Sequence, residues 1–229
     1  MPKLEANDVP HTAQTDHRIL RQPSQTSQSD VDSEISVYQE SRLAPEVIDR
    51  DSAVFMVRQA EAINDKVLAN LTIPKLVSWV DEHPQDAETL SILGTAYAIT
   101  GVNNTEAIIA LEKALKFNSQ SEYTLRQLTY LFHDLGDLET AAAYGEKLLG
   151  LNDSEYQYLG RMAHILGRLK RMDEAIKYGA KAAELQPWNF QIQGWLTEAY
   201  RLTNQPEKAE YHRILYEATR PRGEALEKD

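Results

Sequence analysis

A period of 34 residues constrains the fold of this chain more than any other feature of its sequence. The interval recurs at four alanines, at a Tyr-Gly-x-Lys element, at two prolines and at two asparagines: Ala107, Ala141, Ala175 and Ala209; Tyr144–Lys147 and Tyr178–Lys181; Pro187 and Pro221; Asn118 and Asn152. A fixed period of this length is typical of proteins that stack copies of one supersecondary unit. The sequence therefore predicts a repeat fold.

The repeated unit is predicted to be a pair of α-helices. After Pro45, apolar residues recur at helical spacing, and no segment shows the alternation expected of a half-buried strand. Small residues such as Gly94 and Ala107 would let two helix backbones approach closely, whereas a proline such as Pro187 would end the second helix. No single pair can bury its apolar face alone, so the pairs are expected to stack.

The period and these positions resemble the tetratricopeptide repeat. The resemblance implies an all-α, right-handed superhelical solenoid of antiparallel helix pairs. Residues 87–223 are predicted to hold four repeats, at 87–121, 122–155, 156–189 and 190–223. A degenerate repeat is predicted at 46–86, with Thr72 where a small residue is expected, and the first full repeat has one extra residue in its turn, Val102–Glu106.

Both ends of the chain are predicted to lie outside the repeats. Residues 1–45 are interpreted as an irregular, flexible N-terminal segment and linker, and residues 224–229 as a C-terminal tail. The stretch Gln22–Ser41 is rich in Ser, Gln and Asp and has few large aliphatic residues. Such a stretch cannot bury enough surface to offset its ordering entropy, which is the basis of the linker prediction.

Composition disfavours several classes of function. The chain has 24 Lys and Arg against 35 Asp and Glu, a net charge of -11 that would repel nucleic acid. No stretch approaches the ~20 apolar residues that span a bilayer, so membrane insertion is not expected. The first residues contain no apolar signal region, which favours a cytoplasmic compartment for the sequence as written. Motifs for phosphate loops, nucleophile elbows and metalloproteases are absent, so no catalytic residue is predicted.

The resemblance implies that the first helix of each pair lines a concave wall, on which this family usually holds a peptide or a segment of a partner protein. The residue types that recognition surfaces favour occur at those positions. The predicted partner-binding residues are Tyr123, Arg126, Tyr130, His133, His164, Arg168, Glu198 and Arg201. The alternative is a solvated groove, or one that covers the chain's own tail. The family's carboxylate clamp is not supported, because its Lys and Asn positions hold Ser91, Thr95 and Gln127.

Two further clusters have simple alternatives. The basic residues Arg161, Arg168, Lys170 and Arg171 are interpreted as a solvated turn, with an acidic ligand segment as the functional alternative. His133 and His164 lie on first helices and would be the only two candidates for a shared metal ion there. No carboxylate or thiolate partner recurs beside them, so no metal site is predicted.

The amino terminus resembles a different family. Met1–Lys3, Asp8–Thr12 and Thr15–Ile19 are similar in order and spacing to the stretch that follows the last Cys-x-x-Cys-His of multihaem c-type cytochromes with C-terminal tetratricopeptide repeats. The resemblance implies that His11 or His17 would be an axial ligand if a missing or neighbouring domain supplied haem c. The chain has no cysteine, so it cannot attach haem covalently, and no cofactor is predicted within it.

The sequence therefore predicts a non-enzymatic scaffold that binds a protein or peptide segment on its concave face. The alternative is the C-terminal docking domain of an exported multihaem c-type cytochrome, which would place the chain outside the cytoplasm. The identity of the partner and the oligomeric state are left open by the sequence.

Overall fold

A computed structural model describes residues 45–221 of the chain. Within that range all regular structure is helical, in ten α-helices. In chain order they are α1 (Pro45–Ile63), α2 (Lys66–Glu82), α3 (Ala87–Thr100), α4 (Asn104–Phe117), α5 (Glu122–Leu135), α6 (Leu138–Leu151), α7 (Tyr156–Arg168), α8 (Met172–Leu185), α9 (Phe190–Leu202) and α10 (Pro206–Thr219). Successive helices pack as pairs, and the odd-numbered helices α1, α3 and α5 also contact one another along the stack.

Local sequence explains where these helices begin and end. Asp86, Ser121 and Asn189 accept a hydrogen bond from the backbone N–H three residues on, which satisfies a donor that the helix leaves free. The chain turns from α5 into α6 at Gly136, whose φ is +84°. The residue 34 positions later, Lys170, has a φ of +62°, so the same left-handed turn recurs without glycine.

The small residues of the period lie at the helix crossings. Ala107, Ala141 and Ala175 are fully buried, and Ala209 is nearly so. A Cβ atom on Gly94 would come within 2.6 Å of Leu111 Cγ, so α3 and α4 are closer there than any side chain would allow. These contacts are the physical reason for the period.

In the degenerate first helix pair, a polar residue occupies the equivalent position of the helix crossing. Thr72 on α2 is 1% exposed, and its hydroxyl donates a 2.7 Å hydrogen bond to the Ala69 carbonyl. The buried hydroxyl is therefore satisfied within its own helix, at little cost to the packing.

The buried apolar residues form two clusters. The N-terminal core contains residues from α1 to α4, including Val57, Leu76 and Leu90. The C-terminal core extends from Ala107 on α4 to Ala209 on α10. The half-buried ring of Tyr97 packs against both cores, so the boundary between them falls at α3 and α4.

The architecture confirms the predicted fold class, an all-α solenoid of helix pairs, over the part of the chain that the structure describes. Three residues connect α3 to α4, whereas two connect α5 to α6. The extra residue of the first full repeat therefore lies in the α3–α4 turn. The predicted N-terminal segment, apart from Pro45, and the predicted C-terminal tail fall outside residues 45–221, as do the last two residues of the predicted fourth repeat.

Candidate functional site

The eight residues predicted to bind a partner lie on α5, α7 and α9, the first helices of three successive pairs. The structure divides them into three groups with different surroundings. Tyr123 and Arg126 are tied to α1, Tyr130 lies with His133, His164 and Arg168 in a central cluster, and Glu198 with Arg201 forms a separate ion pair. The central group adjoins the larger of two clefts on this face.

A carboxylate on α1 occupies the N-terminal part of the face. Glu61 Oε1 accepts 2.7 Å hydrogen bonds from Arg126 Nη2 and from Gln127 Nε2. The Tyr123 hydroxyl lies 3.0 Å from Glu61 Oε2 and 3.0 Å from Thr95 Oγ1. Burial raises the pKa of Tyr123, and the negative charge of Glu61 raises it further. We call this set the Glu61 brace; it engages the Tyr123 hydroxyl and Arg126 Nη2 within the chain, while Arg126 Nε is buried without a hydrogen-bond partner among the described residues.

The central group is a cluster of two histidines and two arginines. His133 Nε2 lies 3.1 Å from His164 Nδ1, and the two rings meet edge to face. Arg161 Nη1 lies 3.2 Å from His133 Nδ1, and Arg168 Nη1 lies 3.4 Å from His133 Nε2. We call these four residues the cationic cluster. Among residues 45–221, the one carboxylate that contacts the cluster is that of the exposed Asp134, whose Oδ1 lies 3.1 Å from His133 Nδ1.

The cluster disfavours protonation of His164. Partial burial lowers the pKa of His164 below its usual value, and the positive charges of His133, Arg161 and Arg168 lower it further. The Arg161 guanidinium itself is held over the Tyr130 ring, 4.2 Å from its centroid, a favourable cation–π arrangement. The positive groups are therefore held in place by the fold.

A cleft of about 570 Å³ opens beside this cluster, between α5, α7 and α9. Arg161 gives it a positively charged wall beside His164, Tyr130 lines it from α5, and Ile192 and Trp195 contribute apolar surface from α9. None of the described residues that line it is an Asp or a Glu. This volume is within the range of pockets that hold a ligand group or several side chains.

Glycine keeps the cleft open. Gly160 on α7 lines it, and a Cβ atom there would meet only Ile192, at 3.9 Å and beyond. The helix packing therefore does not require glycine at this position, and the missing side chain leaves space on the surface of the cleft. The fold would accept a side chain that fills this space.

At the C-terminal end of the face, Arg201 Nη1 donates a 2.7 Å hydrogen bond to Glu198 Oε1, three residues earlier on α9. Both side chains are exposed, so the pair contributes little to stability. They line a smaller cleft between α9 and α10 that also holds Arg213 and Glu217. Charges of both signs are balanced there, in contrast to the central cleft.

The carboxylate-clamp positions lie inside the helix packing. Ser91, Thr95 and Gln127 are each less than 10% exposed. The Ser91 and Thr124 hydroxyls lie 2.6 Å apart, and Gln127 donates to Glu61. These three side chains are therefore engaged within the chain.

The basic cluster predicted around the α7–α8 turn separates into two parts. Lys170 and Arg171 lie in the turn itself, and Arg171 forms a bidentate pair with Glu174 at 2.6 and 2.8 Å. Arg161 and Arg168 point instead towards the histidines. The interpretation as a solvated turn therefore describes half of the set.

Among residues 45–221, no group of three or more His, Asp or Glu side chains is arranged to hold a metal ion. None of the described helices is long and apolar enough to cross a membrane. His11 and His17, the candidate haem ligands, lie outside the described residues, so that assignment stays a prediction.

Sequence reasoning missed two residues of the cleft as members of the face. Arg161 and Trp195 each follow a glycine on the first helix of a pair, Gly160 and Gly194, and they occupy equivalent positions 34 residues apart. Because glycine presents no side chain, the long side chain that follows it defines the local surface. A large residue directly after a groove glycine is the signal that would have identified both.

The geometry defines a class: the fold is a tetratricopeptide-repeat solenoid with a cleft on its first helices. The family profile described as tetratricopeptide repeat matches residues 156–187, which include α7 and α8. A comparison with curated proteins finds no match.

Solved structures of MamA have the same fold. MamA from AMB-1 is 19% identical with a TM-score of 0.67, and the alignment covers 80% of this chain and 94% of that one. MamA from Desulfovibrio magneticus RS-1, from position 41 to its end, is 14% identical with a TM-score of 0.67, over 76% and 94% of the two chains. MamA from MSR-1 is 20% identical with a TM-score of 0.66, over 76% and 95%. At these identities the likeness concerns the fold.

Proposed function

We propose that the chain is a non-enzymatic scaffold whose first-helix face binds a segment of a partner protein in the central cleft. The observation that carries the proposal is the cleft itself. It joins an apolar floor at Ile192 and Trp195 to a wall of preordered polar groups, on helices whose packing does not depend on filling it. Aromatic and Arg side chains grouped in this way are the usual anchors of protein interfaces.

Other parts of the predicted face support a central site. Tyr123 and Arg126 already have partners in the Glu61 brace, so binding there would first have to break hydrogen bonds within the chain. Glu198 and Arg201 neutralise each other on the surface. The central cluster has polar groups and adjoining space together.

The absence of a role in catalysis is part of the same proposal. Among the described residues, the cleft has no carboxylate, and its histidine lies against other positive groups. A general base must lie within hydrogen-bond reach of the proton that it removes and have a pKa near the operating pH. The surroundings of His164 instead oppose its protonation.

Selection from a random library of about 12-residue peptides displayed on phage tests the site, with the full chain as bait. The selected peptides are then measured against Gly160→Phe, which places a ring in the cleft. Gly150→Phe is the matched control, because Gly150 is exposed on α6 and a Cβ atom there meets nothing within 4 Å. We expect Gly160→Phe to weaken binding at least about tenfold, as the loss of one anchor contact does.

The Gly150→Phe control should bind as the unmodified chain does. Peptides that bind all three proteins equally would place recognition elsewhere and contradict the proposed site. Circular dichroism of both variants verifies that the helices are retained.

The resemblance of Met1–Ile19 to multihaem cytochromes supports a second candidate, in which the repeats are the C-terminal docking domain of an exported multihaem c-type cytochrome involved in electron transfer, whose haem-bearing part is missing from this chain. His11 and His17 would then be the haem ligands. Reading the native DNA upstream of the Met1 codon tests it. In-frame codons for Cys-x-x-Cys-His directly before Met-Pro support this candidate, and a stop codon in frame there contradicts it.

A further inference from the structure

We propose that the partner segment is acidic: it places an Asp or Glu carboxylate against Arg161 and His164 in the cleft, next to the charge of Arg168, and a large apolar side chain against Trp195 and Ile192. This inference rests on the proposed function and specifies the chemistry of its ligand. It follows from charge complementarity in the central cleft, from the way the arginines are held, and from the composition of the rest of the chain.

The positive charge of the cluster is not neutralised within the described chain. Among residues 45–221, neither Arg161 nor Arg168 has a carboxylate oxygen within 4.0 Å, although most other arginines of the helices do. Asp134 contacts His133 and is largely exposed, so it offsets only part of that charge. A carboxylate entering the cleft would supply the missing partner.

Arg161 is also preordered. Arg161 is half-buried and held over Tyr130, and its Nη1 lies 3.2 Å from His133. An arginine that is already fixed loses less conformational entropy when it forms a bidentate contact with a carboxylate. The planar guanidinium matches that ligand group in geometry as well as in charge.

The surroundings make this preference selective. The chain has a net charge of -11, which opposes the approach of an acidic segment to most of its surface. The central cleft lacks carboxylates among its described lining residues, whereas a smaller cleft by α1 and α2 includes Glu46, Asp49 and Glu82. An acidic segment should therefore bind the central cleft more tightly than the rest of the surface, and this difference in affinity is the source of specificity.

The apolar part of the cleft defines the neighbouring residue of the ligand. Trp195 packs on the glycines of α7 and α8, since a Cβ atom on Gly167 or Gly179 would meet its ring at 3.3 and 2.6 Å. The indole is therefore braced from behind and presents its free surface to the cleft. A large aliphatic or aromatic side chain next to the carboxylate would cover that surface.

The peptides selected on the full chain test this chemistry directly. We expect them to be enriched in Asp or Glu close to a large apolar residue. Synthetic versions with Asn or Gln in place of the acidic residues should bind about tenfold more weakly, because charge-assisted hydrogen bonds are lost.

The protein side of the test uses Arg161→Gln and Arg168→Gln. Each should weaken binding of the acidic peptides by about tenfold and leave the Asn/Gln versions unchanged. Lys116→Gln is the matched control: it removes one positive charge from an exposed residue on α4, a helix that contributes nothing to the cleft. Binding to this control should equal that of the unmodified chain.

The outcomes separate the two proposals. If the selected peptides show no acidic enrichment, bind more weakly to Gly160→Phe and bind equally well to Arg161→Gln, the proposal of an acidic ligand is wrong and the proposed binding site stands. Peptides that are indifferent to Gly160→Phe would overturn both. Acidic peptides that lose affinity with both arginine variants and not with Lys116→Gln support the inference.

Discussion

Replacing Gly179 by alanine tests the packing that builds the central cleft. A Cβ atom on Gly179 would lie 2.6 Å from Trp195 Cζ3, 3.0 Å from Cε3 and 3.2 Å from Leu196 Cδ2. Leu196 is fully buried and cannot yield, so the indole must move. Overpacking of this kind costs about 1–3 kcal/mol, whereas exchanging glycine for alanine inside a helix gains about 0.5–1 kcal/mol.

Gly150→Ala isolates the second of these effects. Gly150 also lies in a second helix, α6, and a Cβ atom there has no neighbour within 4 Å. We expect this variant to be more stable than the unmodified chain by about 0.5–1 kcal/mol. Gly179→Ala should therefore be less stable than Gly150→Ala by about 1–3 kcal/mol, the overpacking cost alone.

Urea unfolding followed by circular dichroism measures the free energy of unfolding of both variants, and tryptophan fluorescence reports the displaced indole. Gly179→Ala should alter the native fluorescence and Gly150→Ala should not. Equal stability of the two variants, with unchanged fluorescence, would refute the close approach of Trp195 to α8 and with it the braced wall of the cleft.

Three further predictions use the same unfolding measurement. Ala141→Leu and Ala175→Leu each overfill a fully buried crossing and should lower the free energy of unfolding by about 1–3 kcal/mol; unchanged melts would contradict the predicted helix register. Glu61→Ala leaves the partly buried partners of the brace without an acceptor and should cost about 1–3 kcal/mol; an unaltered midpoint would show that the brace is loose. Burial lowers the pKa of His164 and of His212 in the folded state, so that state binds fewer protons than the unfolded chain. Stability should be full above the unfolded pKa of about 6.5 and fall as the pH drops through it, and replacing both by Gln should flatten that dependence.

The fold could be predicted because it depends on a regular local pattern. Ala107, Ala141 and Ala175 are identical residues at one interval, and each is needed at the same crossing, so periodicity alone locates the contacts. Left-handed turns repeat with the same interval from Gly136 to Lys170, although the residue type changes. At this turn the backbone conformation is the same in both repeats, although the residue type differs.

The site was predictable only in part, since it depends on contacts between repeats. The helical spacing of the first helices brought Tyr130 and His164 onto one face, and the structure places both at the cleft. Sequence gave no sign that Glu61 would reach residues more than 60 positions later and occupy Arg126. Nor could it show that Arg161 lies over Tyr130, because that contact depends on how closely α5 and α7 stack.

The Glu61 brace also bears on the cooperativity of unfolding, because it crosses the boundary between the two hydrophobic cores. Glu61 extends from α1, in the N-terminal core, to Arg126 and Gln127 on α5, a helix whose buried apolar residues belong to the C-terminal core. In a repeat protein each repeat contacts only its neighbours, so segments with separate hydrophobic cores can unfold independently unless contacts between the segments couple them. The Glu61 carboxylate adds a polar link to the packing of Tyr97 against both cores, so we expect its removal to make the two segments of the solenoid unfold less cooperatively.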